Sequence, residues 1–277
     1  MSTRDSAVTT LAGDLGFTEG PLLTREGDLI VASLTRQCLF LVAGGQGSLV
    51  THVEGSPSGL AQDALGRIWI VHSSHPRAIT RNPDHVGVSC LVDGSTHRVA
   101  SEGLTAPNDC VISPDGRYLI FTDPKGHAFD AHPQFGAVRA LNLNTYHVQT
   151  LLDDCLFPNG LAFSPSSEVM YVAETAARRI LRYRYTGNEL TSKEVFFDLP
   201  HGHPDGMFVR QDGYLLVATT TGNSIAVIDP DGRLVEEIYV GEASFPTNVT
   251  MGRPGSETVY VTAAKGGRVL AIKPRTP

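Results

Sequence analysis

Four cysteines in 277 residues, Cys38, Cys90, Cys110 and Cys155, are too few and too scattered for a disulfide framework, and no CxxC pair is present. Reduced, buried thiols are the expectation. No apolar run approaches the ~18 residues that span a bilayer. The first ten residues are polar and carry no apolar signal core, so the sequence predicts a cytoplasmic protein with no membrane partner. Basic blocks are also missing: 22 Lys and Arg stand against 29 Asp and Glu, a formal charge of −7, which argues against nucleic acid and anionic lipid as partners. Amphipathic helical periodicity is nearly absent. Aromatic residues make up only 7% of the chain, and the single tryptophan, Trp69, sits in an apolar run and reads as core. With 41% hydrophobic and 18% charged residues, bulk disorder is excluded.

Glycine and proline are in excess. Together they make 45 of 277 residues, about 16% against a usual ~12%, and so announce many turns. Six segments share one plan, in which a polar residue and a glycine or its stand-in precede an apolar run, a turn and a second apolar run. They read FTEGPLLTREGDLIVAS, SPSGLAQDALGRIWIVH, APNDCVISPDGRYLIFTD, FPNGLAFSPSSEVMYVAE, HPDGMFVRQDGYLLVAT and FPTNVTMGRPGSETVYVTA. Asp-Gly and Pro-Asp-Gly in the turns suit tight hairpins. The residue before each glycine position, the anchor, is Glu19, Ser58, Asn108, Asn159, Asp205 or Thr247, at intervals of 39, 50, 51, 46 and 42 residues. Each interval holds four short β-branched and aromatic strands, which is the period of a propeller blade. The predicted fold is all-β: one six-bladed β-propeller domain over residues 1–277, four antiparallel strands per blade. The segment Ala7 to Leu15 supplies the missing strand of the last blade, which removes exposed sheet edges. The longest insertion, Asp123 to Phe135, reads as a functional or gating loop.

In a propeller the first strand of every blade lines the central channel, so the six anchors converge. Any one Asn-Gly or Asp-Gly is by itself more simply a turn. Four oxygen-bearing side chains in register, Glu19, Asn108, Asn159 and Asp205, are harder to assign to turns alone. Two carboxylates facing each other in a narrow channel repel unless a cation lies between them. Two carboxylates with amide oxygens form a hard donor set suited to Ca²⁺, Mg²⁺ or Mn²⁺. A second ring, at the ends of the second strands, reads Ser33, His72, Asp123, Glu174, Thr219 and Ala263. Within it His72 and Asp123 are candidate substrate contacts, with loop hydrogen bonding as the alternative, and Glu174 reads as a pin for a neighbouring loop.

The motifs EGP at Glu19, SEGLTAPND at Asn108, SPDGRYLIFTDPKG, FPNGLAFSP at Asn159 and LPHGHPDGMFV at Asp205 resemble the senescence marker protein/gluconolactonase/luciferin-regenerating enzyme-like family, the regucalcin group. The resemblance covers almost the whole chain. It implies one divalent ion at the propeller axis, with Glu19, Asn159 and Asp205 as direct ligands and Asn108 as a further ligand or substrate contact. Diisopropylfluorophosphatase is similar in its Glu/Asn/Asn/Asp set. Sugar-lactone members often place an arginine two residues before the Asn108 position, where this chain has Ala106, so the wall of the site there is a methyl group.

These readings converge on a metal-dependent hydrolase that opens a small lactone less polar than an aldonolactone. Calcium is the first choice of ion, with magnesium, manganese or zinc as alternatives. Asp205 acts as general base and Asn108 as orienting residue, with Ala106, Asp123 and His72 around the substrate. The alternatives are other chemistry at the same metal site (isomerisation, phosphotriester hydrolysis or a biosynthetic tailoring step) and a binding propeller with structural calcium. The expected partner is a small molecule, and the expected state a monomer or weak homo-oligomer.

Overall fold

The computed structural model describes residues 8–275 apart from residues 131, 188 and 254. Among the described residues there are 24 strands and no helix, grouped into six antiparallel sheets of four strands. The first strand of each blade is Thr18–Leu23, Ser56–Gln62, Cys110–Ile112, Pro158–Phe163, Pro204–Val209 and Pro246–Met251. Each touches its counterpart in the next blade, and the sixth returns to the first, so the ring closes. Blade six takes its outermost strand from the N-terminal side: Thr9–Ala12 pairs antiparallel with Arg268–Ile272. This is the expected closure on a shorter stretch than Ala7 to Leu15. Ala7 itself lies outside the described residues.

The repeated hairpin turn behaves as its sequence requires. Asp115-Gly116 places Gly116 at φ 70°, and the blade that reads PSSE instead puts Ser167 at φ 64°. Asp115 Oδ1 accepts from Arg117 N at 3.1 Å, which fixes that turn from the side-chain direction.

Most second and third strands are buried on both faces, as in Leu29–Ser33, Leu215–Thr219 and Ser224–Ile228, whereas the third strand of blade four, Arg179–Tyr185, exposes Arg182 and Arg184. The fourth strands, such as Gln46–His52, face water. Continuous apolar runs in the middle strands follow from this, because each sheet is sandwiched between two others. Six apolar slabs therefore replace one central core. Between blades three and four, Ile120 and Val138 pack against Val172 and Leu181. Between five and six, Leu216 and Val227 pack against Val249, Val261 and Leu270. Cohesion lies between blades, which leaves the axis free for polar groups.

Crowding at the axis explains the glycine after four of the six anchors. A Cβ on Gly160 would stand 2.3 Å from the Asp205 carbonyl oxygen of the next blade, and one on Gly59 would stand 2.7 Å from Asp109 Cα. Two blades break the pattern, and they face each other across the ring. Asp109 and Asn248 occupy the glycine position there, and Asn248 Nδ2 donates to Asp109 Oδ2 at 3.3 Å across the axis. The pair stands between two cavities. Glu19, Asn159 and Asp205 line the upper one, and Asp109 and Asn248 line the lower one.

Candidate active site

Glu19, Asn108, Asn159 and Asp205, delivered by four different blades, line one cavity of about 500 Å³ together with Ala106 and Ser58. Glu19, Asn159 and Asp205 are buried, and Asn108 is half-buried. Of the other two anchors, Ser58 Oγ donates to the Asn108 carbonyl at 2.5 Å, and Thr247 Oγ1 donates to the Thr18 carbonyl at 2.8 Å. Those hydroxyls tie one inner strand to the next. Asn108 is also fixed through its backbone, accepting from Gly59 N at 2.7 Å and donating to Thr122 O at 2.9 Å.

The electrostatics of this floor are adverse without a cation. Burial raises the Glu19 carboxyl well above its ordinary range, and the like charges of Asp205 and Asp109 raise it further. Burial and Asp109 raise Asp205 in the same way, only partly offset by hydrogen bonds from the Asn159 side chain and Gly206 N. Asp109 itself is pushed to about 7 by burial. Asn159 Oδ1 is a buried acceptor with no hydrogen-bond partner, an arrangement that costs free energy unless something electropositive meets the oxygen. Among the described residues no cluster of three or more His, Cys, Asp or Glu forms a separate metal cage. The orphaned amide oxygen and the two strained carboxylates fit a hard divalent cation, and the fit comes from mixed carboxylate and amide donors.

His72 and Asp123 are not brought to the cavity, and neither is available as a substrate contact. His72 is fully buried, with Nε2 2.8 Å from Ser89 Oγ and Nδ1 3.3 Å from the His85 carbonyl. Asp123 accepts from Thr105 N and Ala106 N at 3.0 and 2.8 Å through Oδ1, and pairs through Oδ2 with Arg139 Nε at 2.8 Å. Strand register is the cause. His72 lies opposite Pro57 and Glu174 opposite Pro158, each one residue before an anchor. Opposite residues share a face, and successive residues alternate, so this second ring turns away from the channel. Its members fasten loops: Glu174 Oε1 accepts from Leu156 N at 2.7 Å, and Ser33 Oγ donates to Leu15 O at 2.5 Å. Asp123 serves the site indirectly, by fixing Ala106 in the wall. All four cysteines are free and buried; burial and Asp109 raise the Cys110 thiol far above its ordinary value, so it packs rather than reacts.

The wall contains residues that the motif reading left out. These are Phe17, Phe157 and Phe245, which line the cavity and sit two residues before an anchor, as the already identified Ala106 does. That repeat offset was a usable signal. Phe157 and Phe245 hold φ of 55° and 52°, a left-handed conformation unusual for bulky residues, each immediately before a proline. Loops supply the rest: His75 and Arg77 after the second strand of blade two, and His127, Ala128 and Phe129 from the Asp123–Phe135 insertion. Phe129 stacks near Phe157 and His203, with centroids 5.8 and 4.8 Å away. No repeat position marks these loop residues, so pattern reading could not reach them. His201 and His203 lie in the loop before the Asp205 strand, bonded to Glu237 and Thr221 at 2.7 and 2.9 Å.

The chain is similar to several known proteins. The pentonolactonase XacC of Haloferax volcanii is 31% identical over 191 residues, covering 66% of this chain and 62% of its own length. The chain thus spans less than two thirds of that curated relative. A structure of XC5397 from Xanthomonas campestris, titled a gluconolactonase, superposes with a TM-score of 0.81 at 23% identity, covering 98% of this chain and 90% of that one. A regucalcin from Agrobacterium tumefaciens, described as a calcium-binding protein, gives 0.79 at 18% identity, covering 98% and 96%. At such identities the structural likenesses speak for the fold alone. Among the described residues no helix is long and apolar enough to cross a membrane. Residues 17–265 match the SMP-30/Gluconolactonase/LRE-like region, and the chain belongs to that family.

Proposed function

We propose that the protein is a divalent-metal-dependent lactone hydrolase. The observation that carries this reading is the unpartnered buried Asn159 Oδ1 beside Glu19 and Asp205 at the floor of an accessible cavity. A relative named pentonolactonase supports the reaction class, and a calcium-binding relative supports calcium as the ion. Glu19, Asn159 and Asp205 would hold the ion, with Asn108 as fourth donor or substrate contact. When bound, the ion polarises the ester carbonyl and stabilises its developing negative charge.

The chain's own groups supply the remaining steps. Asp205, held by Asn159 and Gly206 N, accepts a proton as water attacks the carbonyl carbon. The ring C–O bond then breaks, and the same proton passes from Asp205 to the leaving alkoxide, giving a hydroxy acid. Asn108 orients the substrate from the wall, and the phenylalanines restrict water at the mouth.

The methyl of Ala106 and the rings of Phe17, Phe157 and Phe245 suit a lactone with few hydroxyls. A lactone panel read with a pH indicator, with chelator and with calcium, magnesium, manganese or zinc restored, tests the reading. Metal-dependent opening of apolar or aryl lactones ahead of D-glucono-1,5-lactone is the expected result. Ala106→Arg should move kcat/KM toward the sugar lactone, because a guanidinium there can bind hydroxyls. Metal binding without turnover of any lactone would transfer the site to other chemistry.

A further inference from the structure

The mouth of the cavity holds one fixed positive charge. Arg77 is the only lysine or arginine among its described lining residues. Its side chain is exposed, with Cζ 5.9 Å from the centre of the Phe17 ring, and no carboxylate lies within ion-pair distance of it among the described residues. By contrast Arg67, Arg139 and Arg179 are each paired at 2.5–2.8 Å. The Arg77 backbone is anchored, since its N–H donates to His75 Nδ1 at 3.1 Å, and the His75 ring packs on His127 at 4.6 Å. Burial pushes His75 down to about 4 and lowers His127 too, so neither imidazole adds charge near neutral pH.

We propose that Arg77 determines substrate specificity by binding a carboxylate carried on the apolar or aromatic ring of the lactone, an inference that rests on the lactonase reading above. A guanidinium binds a carboxylate through two parallel hydrogen bonds, with both direction and charge. In a chain of net charge −7, where the ion's two charges are already matched by the Glu19 and Asp205 carboxylates, Arg77 is the remaining local cation that favours entry of an anionic substrate. Phe17 lies beneath the guanidinium and Phe245 packs edge-on to Phe17 at 6.1 Å, so an unsaturated ring can lie on the aromatic wall while its carboxylate reaches Arg77. A polyol ring would gain little from those faces.

The test uses dihydrocoumarin and dihydrocoumarin-6-carboxylate with the metal-loaded protein. The wild type should favour the carboxylate by about tenfold or more in kcat/KM, the scale of one charge-assisted contact. Arg77→Ala should bring that ratio to near one, chiefly through KM, and Arg77→Lys should restore part of it. An unaltered ratio in Arg77→Ala, or a wild-type preference for the neutral lactone, overturns the proposal. A binding arm separates this failure from failure of the lactonase reading. Calorimetric titration with benzoate and benzamide should show benzoate preferred by the wild type and not by Arg77→Ala, whether or not any lactone is opened. Benzoate binding that survives Arg77→Ala places the carboxylate on the ion instead and overturns the inference.

Discussion

Asp205 has two duties in the proposed reaction, holding the ion and moving a proton, and Asn is the substitution that removes the base and its charge while keeping the shape and one oxygen donor. Asp205→Asn should lower kcat by at least about 10²–10⁴-fold on every lactone, the usual scale for a lost general base. The fold should persist, because the change removes one of the like charges that burial already disfavours; unchanged β-type circular dichroism alongside lost turnover is the expected pair of results. His72 has a different role, which its burial makes measurable. Its folded-state value is pushed down to about 4, mainly by burial, so between pH 4 and its ordinary 6.5 the unfolded chain binds the extra proton. The stabilisation is therefore complete above pH 6.5 and is lost as pH falls toward 4, by up to roughly 3 kcal/mol. His75 and His127 act with the same sign, so the informative quantity is a difference. Urea midpoints measured from pH 7 to pH 4.5 should fall less steeply for His72→Gln than for the wild type. Parallel slopes would show that His72 is protonated or solvated in the folded state.

At the level of strands, the anchors were legible because each lies at a fixed place in a repeated pattern. Topology then carried Glu19, Asn108, Asn159 and Asp205 to one cavity from positions up to 186 residues apart. Glu174 pins a loop as its place suggested, but His72 and Asp123 were misplaced as substrate contacts for a reason equally local. Reading strand ends as one height in the channel ignored which face each residue takes, and pairing with Pro57 or Pro158 turns His72 and Glu174 outward. Arg77, His75, His127 and Phe129 sit in loops that no repeat aligns, so their approach to the site depends on tertiary packing alone. The glycine that follows four of the six anchors was legible as a position but not as a cause; the cause is contact between neighbouring inner strands. Gly160→Ala should accordingly destabilise the protein by roughly 2–4 kcal/mol, since backbone rather than a movable side chain meets the new methyl at 2.3 Å. Gly94→Ala is a useful comparison, as nothing lies within 4 Å of its Cβ position and only its φ of 77° is strained. A Gly160→Ala midpoint equal to that of Gly94→Ala would mean that the inner strands can part without penalty.

For the whole molecule, the six-fold period, the turn chemistry and the doubly buried middle strands all specify the same closed ring, which is why the fold was readable from one sequence. The ring also couples the site to global stability. Glu19 belongs to blade one, Asn159 to blade four and Asp205 to blade five, so an ion held by all three ties blade one to blades four and five across the axis. Removing it leaves buried like charges and an unsatisfied amide oxygen at the axis. An ion that binds only the folded chain stabilises it by about 2.7 kcal/mol at a hundredfold excess over Kd. For a chain of this size that corresponds to a Tm change on the order of 5 °C. Chelation should therefore lower Tm by that amount, and calcium in excess should restore it in a concentration-dependent way. Glu19→Gln should shrink the calcium response, because one charged donor is gone, while raising the Tm of the chelated protein relative to chelated wild type by removing one repelling charge. That opposite pair of shifts distinguishes a cation site from simple loss of packing, which would lower Tm in both conditions. A melting curve indifferent to chelator and calcium would remove the ion from the floor of the cavity and the proposed hydrolysis with it.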